Sequence, residues 1–198
     1  FRGWYEGESG NESLISDSLT CDYVVPSSGQ AQIEITPWYC AQQASVVLDV
    51  DGTTENGSPQ GSFLKTGLYG IGSSVTVVAI PEPYYVLDYV TDAAGNRVNV
   101  SENGSYTFTL TGDTQLTAHF RPTSDGDEAF EALQAALITA LGVAIIASTA
   151  GGFGEFVDPI AVPAIIEIGK AETIEELVEV GGKALKEIEE IFEKHKHD

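Results

Sequence analysis

The sequence is poor in basic residues, and it contains no methionine at all. Its 198 residues include 9 Lys and Arg against 30 Asp and Glu, which gives a formal net charge of −21 at pH 7. A surface of this sign repels phosphate groups, so the composition argues against a nucleic-acid-binding protein. Without a methionine, Phe1 is expected to be a processed or cut end, with sequence lost upstream of it.

Histidine is also scarce, which limits the chemistry that the chain could perform. Hydrolysis or group transfer usually needs a base, a nucleophile or metal, and an orienting group. His119 lies in a strand pattern and is predicted to face solvent, while His195 and His197 lie in a charged tail that is predicted to be a frayed helix end. We therefore expect no catalytic residues and no enzyme. A surface enzyme with its catalytic part upstream of Phe1 stays open as an alternative.

Cysteine and metal-ligand patterns are equally sparse. Cys21 and Cys40 allow one disulfide bridge, and two unpaired small apolar residues are the alternative. Asp49, Asp51 and Glu55 cluster in "DVDGTTEN" and could offer oxygen ligands to calcium, but the twelve-residue spacing of an EF-hand is missing. We predict no metal and no cofactor, with calcium as the lesser alternative.

Asparagine is rare, but most of the asparagines lie in glycosylation sequons. Four of the five asparagines begin an N-x-[S/T] sequon: Asn11, Asn56, Asn99 and Asn103. All four lie in polar, turn-like stretches from which a glycan could project, although Asn-Gly and Ser-rich turns also produce sequons by chance. We predict N-linked glycans and an extracellular or cell-surface location.

Short alternating runs between residues 44 and 120 predict β-strands separated by Gly, Asn, Asp and Pro. In "SVVLDVDG" the residues Val46, Leu48 and Val50 share one face and Val47, Asp49 and Asp51 the other. "SSVTVVAIP" alternates in the same way and stops at Pro81. In "YTFTLTGDTQLTAHF" two alternating runs flank a turn at Gly112 and Asp113.

The order of these runs resembles the divergent internalin-type B repeat, a β-grasp-like module of bacterial and archaeal cell-surface proteins. The resemblance covers residues 45 to 121. Its most specific pieces are G-x-x-V-T-V-x-A-x-P at 72–81 and Y-T-F-x-x-x-G-D-T-x-L-T-A-x-F at 106–120. Where the family usually has Gly-Trp, this chain reads Leu87-Asp88-Tyr89, so Tyr89 is expected to fill the Trp pocket.

The N-terminal stretch resembles the second half of a preceding repeat, over residues 1–40. Residues 1–5 match the F-x-G-W-Y strand of the family, residues 21–25 its Y-T-F strand, and residues 31–35 its closing strand. Half a repeat would leave a strand edge unpaired and the indole of Trp4 in water, so we expect upstream residues or another chain to complete it.

The character of the sequence changes after Pro122. Polar caps at Ser124 or Asp125 precede a helix with no charged residue from Ala132 to Gly154, long enough to cross a bilayer. "AGGFG" follows this helix, and its glycines are predicted to cap it rather than to bind phosphate. "FVDPIAVPAIIEIG" is predicted to be extended, because Pro159 and Pro163 oppose a long helix. Thr173 and Glu176 form a capping box that opens an amphipathic C-terminal helix.

These patterns together predict an α+β protein with three parts. Residues 1–43 form a partial β-repeat, residues 44–121 a complete β-grasp-like repeat, and residues 122–198 a helical assembly or anchoring region. We expect a non-catalytic extracellular structural protein that assembles with copies of itself into a surface filament, sheath or virion, its glycosylated β-modules outward and its apolar helix buried between subunits. The alternative is a membrane-anchored surface adhesin with Ala132–Gly154 as the transmembrane helix.

Contacts between subunits are predicted at the N-terminal strand and on one face of the apolar helix. The alternative for the same residues is a place in the core of the chain itself. The predicted contact residues are Phe1, Trp4, Tyr5, Leu137, Leu141 and Ile145.

Overall fold

The structure is a computed structural model that describes residues 3–6, 13–16, 22, 35–38, 44–64, 66 and 69–195. The chain forms two compact units, Phe1–Gln42 and Gln43–Asp198. Strands occupy the first unit and the start of the second, and helices follow, which confirms the predicted α+β class. The second unit contains both the predicted complete repeat and the helical region, and the boundary proposed between those two parts stays a prediction.

The first unit contains a small antiparallel sheet in the order β2-β1-β3. Its strands are β1 (Gly3–Glu6), β2 (Ser13–Ser16) and β3 (Ile35–Trp38). Strand β1 pairs on both sides and is the central strand of this sheet, so the strand edge that the half repeat was expected to leave unpaired is not an edge of β1. Trp4 and Tyr5 are half-buried. Phe1, Cys21 and Cys40 lie outside the described residues. So do the strands predicted at residues 21–25 and 31–35, apart from the exposed Asp22 and from Ile35, which begins β3.

Six strands of the second unit form two three-stranded sheets, β4-β9-β7 and β5-β6-β8. In the first of these sheets β4 runs parallel to β9, whereas β7 runs antiparallel to it. The strands are β4 (Val46–Asp51), β5 (Gly61–Phe63), β6 (Ser74–Pro81), β7 (Tyr85–Asp92), β8 (Ser105–Thr109) and β9 (Thr114–Pro122). The alternation predicted for β4 is confirmed: Val46, Leu48 and Val50 face the core.

Strand β6 is buried on both faces. Val75, Val77 and Ala79 join the core between the two sheets, which also holds Leu116 and Ala118 of β9. Val78 and Ile80, on the other face, join a second core that is made mainly by helices. The second unit is therefore layered as sheet, sheet and helices, and β6 belongs to both cores.

The helical layer contains α1 (Gly126–Ala150), α2 (Gly154–Lys170) and α3 (Ile174–Lys194). Asp125 is the N-cap of α1, and its side chain accepts hydrogen bonds from the backbone N–H groups of residues 127 and 128. Gly151 ends this helix, and Gly152 follows with φ of +80°, as the glycine pattern predicted. The Thr173 hydroxyl accepts from the Glu176 N–H at the start of α3, which confirms the predicted cap.

The prediction of an extended segment around Pro159 and Pro163 is wrong, because both prolines lie inside α2. A proline removes one helical hydrogen bond and crowds the carbonyl group four residues earlier. With a spacing of four, both rings lie on one exposed side of α2, where water can solvate the freed carbonyl groups of Glu155 and Pro159. The opposite side is buried in the helical core, and this packing overrides the low helix propensity.

The apolar helix α1, which was expected to be buried between subunits, is largely covered within the chain itself. From Glu128 to Ser148 only Glu131 and Ile146 are exposed on α1. Leu137 and Leu141 are buried in the helical core, and Ile145 packs partly against it. In the folded chain Leu137 and Leu141 are thus core residues, and they offer no outward surface for a neighbouring subunit.

Two adjacent glycines in α3 provide a matched test of this packing. A Cβ atom at Gly181 would lie 2.7 Å from Cδ1 of the buried Leu137, whereas one at Gly182 would meet nothing within 4 Å. We expect Gly181→Ala to lower the free energy of unfolding by up to about 2 kcal/mol, because overpacking of about 1–3 kcal/mol outweighs a helix-propensity gain of about 1 kcal/mol. Gly182→Ala should raise it by about 0.5–1 kcal/mol through helix propensity. Urea denaturation of both variants measures the difference, and equal stabilisation would show that α3 does not approach α1 at this point.

Candidate interaction surfaces

The outer face of the β4-β9-β7 sheet contains a row of polar and aromatic side chains, one from each strand. Asp51 pairs in register with His119, and His119 with Tyr89. The rings of Tyr89 and His119 stack with centroids 4.3 Å apart, and the Arg97 guanidinium lies 3.9 Å from the centroid of the Tyr89 ring. Tyr89 is therefore held between an imidazole and a guanidinium group.

Local backbone features bring Arg97 to this row. A register shift between Leu87 and Tyr89 places Tyr89 beside His119, and an antiparallel bridge pairs Arg97 with Thr91. The intervening turn is fastened by Asp92, whose Oδ1 accepts from the N–H groups of Asn96 at 2.9 Å and Ala94 at 3.0 Å. The backbone hydrogen bond from Asn96 is the largest cause that lowers the pKa of the Asp92 carboxyl group.

His119 has a hydrogen-bonding partner at each ring nitrogen. Its Nδ1 lies 3.1 Å from Asp51 Oδ2, and its Nε2 lies 3.0 Å from Thr91 Oγ1. His119 lies on the outer face, as predicted, but it is only half-exposed because Tyr89 covers it.

A carboxylate, an imidazole and a hydroxyl group in series are the components of a nucleophilic site, but acyl transfer also needs free N–H donors for the oxyanion. The central strand β9 pairs on both sides. Next to Tyr89, the outer edge of β7 is covered by the bridge between Thr91 and Arg97 and by the Val98 N–H, which donates to Val90 O. The arrangement therefore fits a braced surface patch better than a reaction centre.

A second surface is the outward side of α2. Phe156, Val162 and Ile166 are 50%, 46% and 53% exposed. We call the central strip of this side the α2 outer face. It consists of Glu155, Pro159, Val162, Pro163, Ile166 and Lys170, all of them exposed.

The sequons that the structure describes lie in two loops at one end of β6. Asn56 lies in the loop that precedes β5, and β5 begins with Gly61 opposite Pro81. Asn99 and Asn103 lie in the loop that precedes β8, which begins with Ser105 opposite Val78. All three asparagines are exposed. The Asn103 side-chain oxygen accepts from Ser105 N–H at 3.2 Å and from Ser105 Oγ at 2.8 Å. Asn11 lies outside the described residues.

The same end of the repeat is joined to α1 by a charged contact. Glu128, in the first turn of α1, accepts hydrogen bonds from the Thr123 hydroxyl and from the Arg121 guanidinium of β9. The bond from Thr123, followed by that from Arg121, lowers the pKa of the Glu128 carboxyl group. The contact fixes where the first helix leaves the sheet.

His195 departs from its prediction as a frayed end. It is the C-cap of α3 and stacks on Phe153, with ring centroids 4.8 Å apart, and on Phe156, with centroids 5.3 Å apart. These aromatic contacts hold the end of α3 against the start of α2. His197 lies outside the described residues.

The acidic residues that were considered as calcium ligands do not converge on one point. Asp49 Oδ2 accepts from Gln115 Nε2 at 2.9 Å, Asp51 contacts His119, and Glu55 lies in the turn beyond β4. Within the described ranges, no group of three or more His, Cys, Asp or Glu side chains is placed to hold a metal ion.

Comparison with known protein families gives a match to part of the chain. The model of the divergent InlB B-repeat domain matches residues 52–124, from the loop after β4 to the residues just before α1. This confirms the predicted resemblance over somewhat more than a third of the chain. Comparison with curated proteins and with solved structures gave no match. Repeats of this family occur in surface proteins and are not enzymatic, so the fold and the match indicate a surface-associated protein with a non-catalytic repeat.

Proposed function

We propose that the protein is a non-catalytic extracellular structural protein that assembles with copies of itself into a surface filament, sheath or virion. The observation that carries the proposal is the exposed apolar surface of α2, beside a core that the chain already closes by itself. Apolar side chains that remain exposed in this way are typical of protein–protein contacts. The contact surface proposed here is α2, since α1 is covered within the chain.

The sequons support an outward orientation of the repeat. Asn56, Asn99 and Asn103 project from one end of it, and bulky glycans there would keep that end solvated. The α2 outer face carries no sequon. We propose glycans at these three positions, with association through the helical layer.

The large negative net charge should make assembly depend on the salt concentration. Copies with a formal charge of −21 repel one another, and added salt screens this repulsion. We expect the purified protein to be mainly monomeric at low ionic strength. It should form dimers or larger assemblies as salt rises to about 1 M, where the Debye length falls to about 3 Å.

Sedimentation velocity over a range of protein and salt concentrations measures this directly. Electron microscopy of the native material then shows whether the assemblies are filaments, sheets or shells. A protein that sediments as a monomer under every condition would contradict the proposal.

One observation favours a second candidate, the membrane-anchored adhesin. Among the described residues, α1 is the one helix long and apolar enough to cross a bilayer, with a mean hydropathy of 1.9 over its most apolar window. Spanning would require α1 to separate from β6 and from the other two helices, because it shares a core with them. The assembly proposal needs no such rearrangement and is therefore preferred.

A further inference from the structure

An open groove lies between α1 and the strands of the repeat, next to the sequon at Asn103. Its volume is about 490 Å³, which is within the range of sites that hold small molecules. One side is the first half of α1, where the small residues Ala132 and Ala135 leave room for an occupant, and Pro81 and Val86 line the other side. Asn103 is exposed and also lines the groove, so a group attached to its side chain starts at the mouth of the groove.

The Asn103 side chain is held in one orientation by its own sequon. Its Oδ1 accepts from the Ser105 N–H at 3.2 Å and from Ser105 Oγ at 2.8 Å, which uses both acceptor positions of the amide oxygen. The other polar atom, Nδ2, has no hydrogen-bond partner in the part of the chain that the structure describes. Nδ2 is the atom that carries the sugar in N-linked glycosylation, so the fold leaves the attachment atom accessible.

Attachment of a sugar is compatible with this arrangement. The bond that forms joins Nδ2 to the anomeric carbon of the first sugar. Nδ2 loses one proton, and the phosphate group of a lipid-linked sugar donor leaves with the electron pair of the bond that breaks. Oδ1 takes no part in this step, so both of its contacts to Ser105 can persist. The sugar is then joined to a loop that is anchored to β6, since the Ala79 N–H donates to Gly104 O at 2.9 Å.

The polar groups around the groove suit the hydroxyl groups of a neutral sugar. Glu102 and Glu131 are exposed carboxylates that can accept from sugar hydroxyl groups, and Arg121 supplies N–H donors. The carboxylate of Glu128 also lines the groove but accepts from Arg121 and Thr123. Three carboxylates against one guanidinium group make the groove net acidic. A neutral sugar fits this charge, whereas an acidic sugar would be repelled.

We infer that the first sugar of a neutral glycan on Asn103 docks in this groove and ties the loop before β8 to α1. The inference rests on the glycosylation proposed above and names where one of these glycans lies. The covalent link selects the occupant, because a short tether gives the sugar an effective concentration on the order of 1 mM or more. Contacts that are too weak to hold a free sugar are then sufficient. The docked sugar contacts the repeat and α1 together and stabilises their junction.

Chains that keep one sequon each test the inference. The first keeps Asn103 and carries Asn11→Gln, Asn56→Gln and Asn99→Gln. The matched control keeps Asn99, which lies in the same loop but does not line the groove, and carries Asn103→Gln in its place. Each full-length chain is made in a eukaryotic secretory host that adds high-mannose glycans and in a bacterial host that adds none. The effect of the sugar is thus measured within one amino-acid sequence.

Mass spectrometry measures the occupancy of each sequon, and thermal unfolding followed by circular dichroism measures Tm. An endoglycosidase first trims each glycan to a single neutral N-acetylglucosamine. We expect this sugar to raise Tm by about 2–4 °C on Asn103 and by less than about 1 °C on Asn99. Adding Ala132→Leu to the Asn103 chain should remove the shift, because the larger side chain fills the groove. Leucine is a good helix former, so this variant should fold in both hosts.

The possible outcomes separate this inference from the proposed function. Equal shifts on Asn103 and Asn99, or no shift on an occupied Asn103, would overturn the inference and leave the proposed glycosylation standing. A shift that survives Ala132→Leu would place the sugar outside the groove and would also contradict it. If that variant does not fold, the comparison of Asn103 with Asn99 still decides. An Asn103 that stays unmodified would refute both the inference and the glycan proposed at this position, whereas self-assembly is tested separately by sedimentation.

Discussion

Replacing Leu141 with alanine is expected to lower the free energy of unfolding by about 2–5 kcal/mol. The Leu141 side chain is fully buried in the helical core, and its loss would leave a cavity among neighbours that cannot collapse fully. Ile146→Ala on the same helix is the matched control, since Ile146 is 72% exposed and its truncation should change stability by less than about 0.5 kcal/mol. Urea denaturation in detergent-free buffer measures both.

This pair of variants also separates the two candidate functions. A helix that packs inside a water-soluble unit loses stability at Leu141 and not at Ile146. If the wild type folds only with detergent, and Leu141→Ala is neutral there, α1 does not pack as the structure has it. That outcome would favour the membrane-anchored alternative.

The second large effect is expected at Gly104, next to the sequon at Asn103. Gly104 has φ of +83°, and a Cβ atom on it would lie 2.6 Å from the carbonyl oxygen of Ala79. The left-handed conformation costs about 1–2 kcal/mol for a residue with a side chain, and overpacking against backbone adds about 1–3 kcal/mol. Gly104→Ala should therefore lower the free energy of unfolding by about 3 kcal/mol.

Gly95→Ala is the matched control for Gly104→Ala. Gly95 has φ of +82°, but a Cβ atom there would meet nothing within 4 Å, so only the conformational cost of about 1–2 kcal/mol applies. Thermal unfolding followed by circular dichroism compares the two variants. Equal losses would show that the loop before β8 does not approach β6 as closely as described. Both variants keep the Asn103-x-Ser105 sequon intact.

Much of the fold follows from patterns in the sequence. Period-two alternation predicted which residues of β4 and β9 face the core. The capping residues Asp125 and Thr173 predicted where α1 and α3 begin. The helix α2 was not predicted, because Pro159 and Pro163 oppose a long helix and the β-branched residues favour an extended segment. The spacing of four between the two prolines, which places both rings on one side, is the signal that permits a helix.

The sequence alone also did not predict that β6 is buried on both faces. An alternating strand shows which residues share a face, but Val78 and Ile80 are as apolar as Val75 and Val77. The continuous apolar run at residues 77–80 was the available signal, since strands covered on both sides read in this way. That α1 is the covering element depends on tertiary packing.

The interaction surfaces were predicted less well than the fold. The row of Asp51, His119 and Tyr89 depends on cross-strand register and on a register shift at Asp88, neither of which a pattern of single residues reveals. Leu137 and Leu141 were predicted as contacts because they are apolar and helical, and the same properties suit a core. Exposed apolar residues can be told from buried ones only after the neighbouring helices are placed.

Because β6 is shared between two cores, we expect the matched repeat to be less stable when it is separated from the helices. Cutting the chain after Pro122 would uncover Leu64, Val78 and Ile80, the side of the sheet that α1 shields. In this chain the recognisable motif and the helices that follow it share a core within one compact unit.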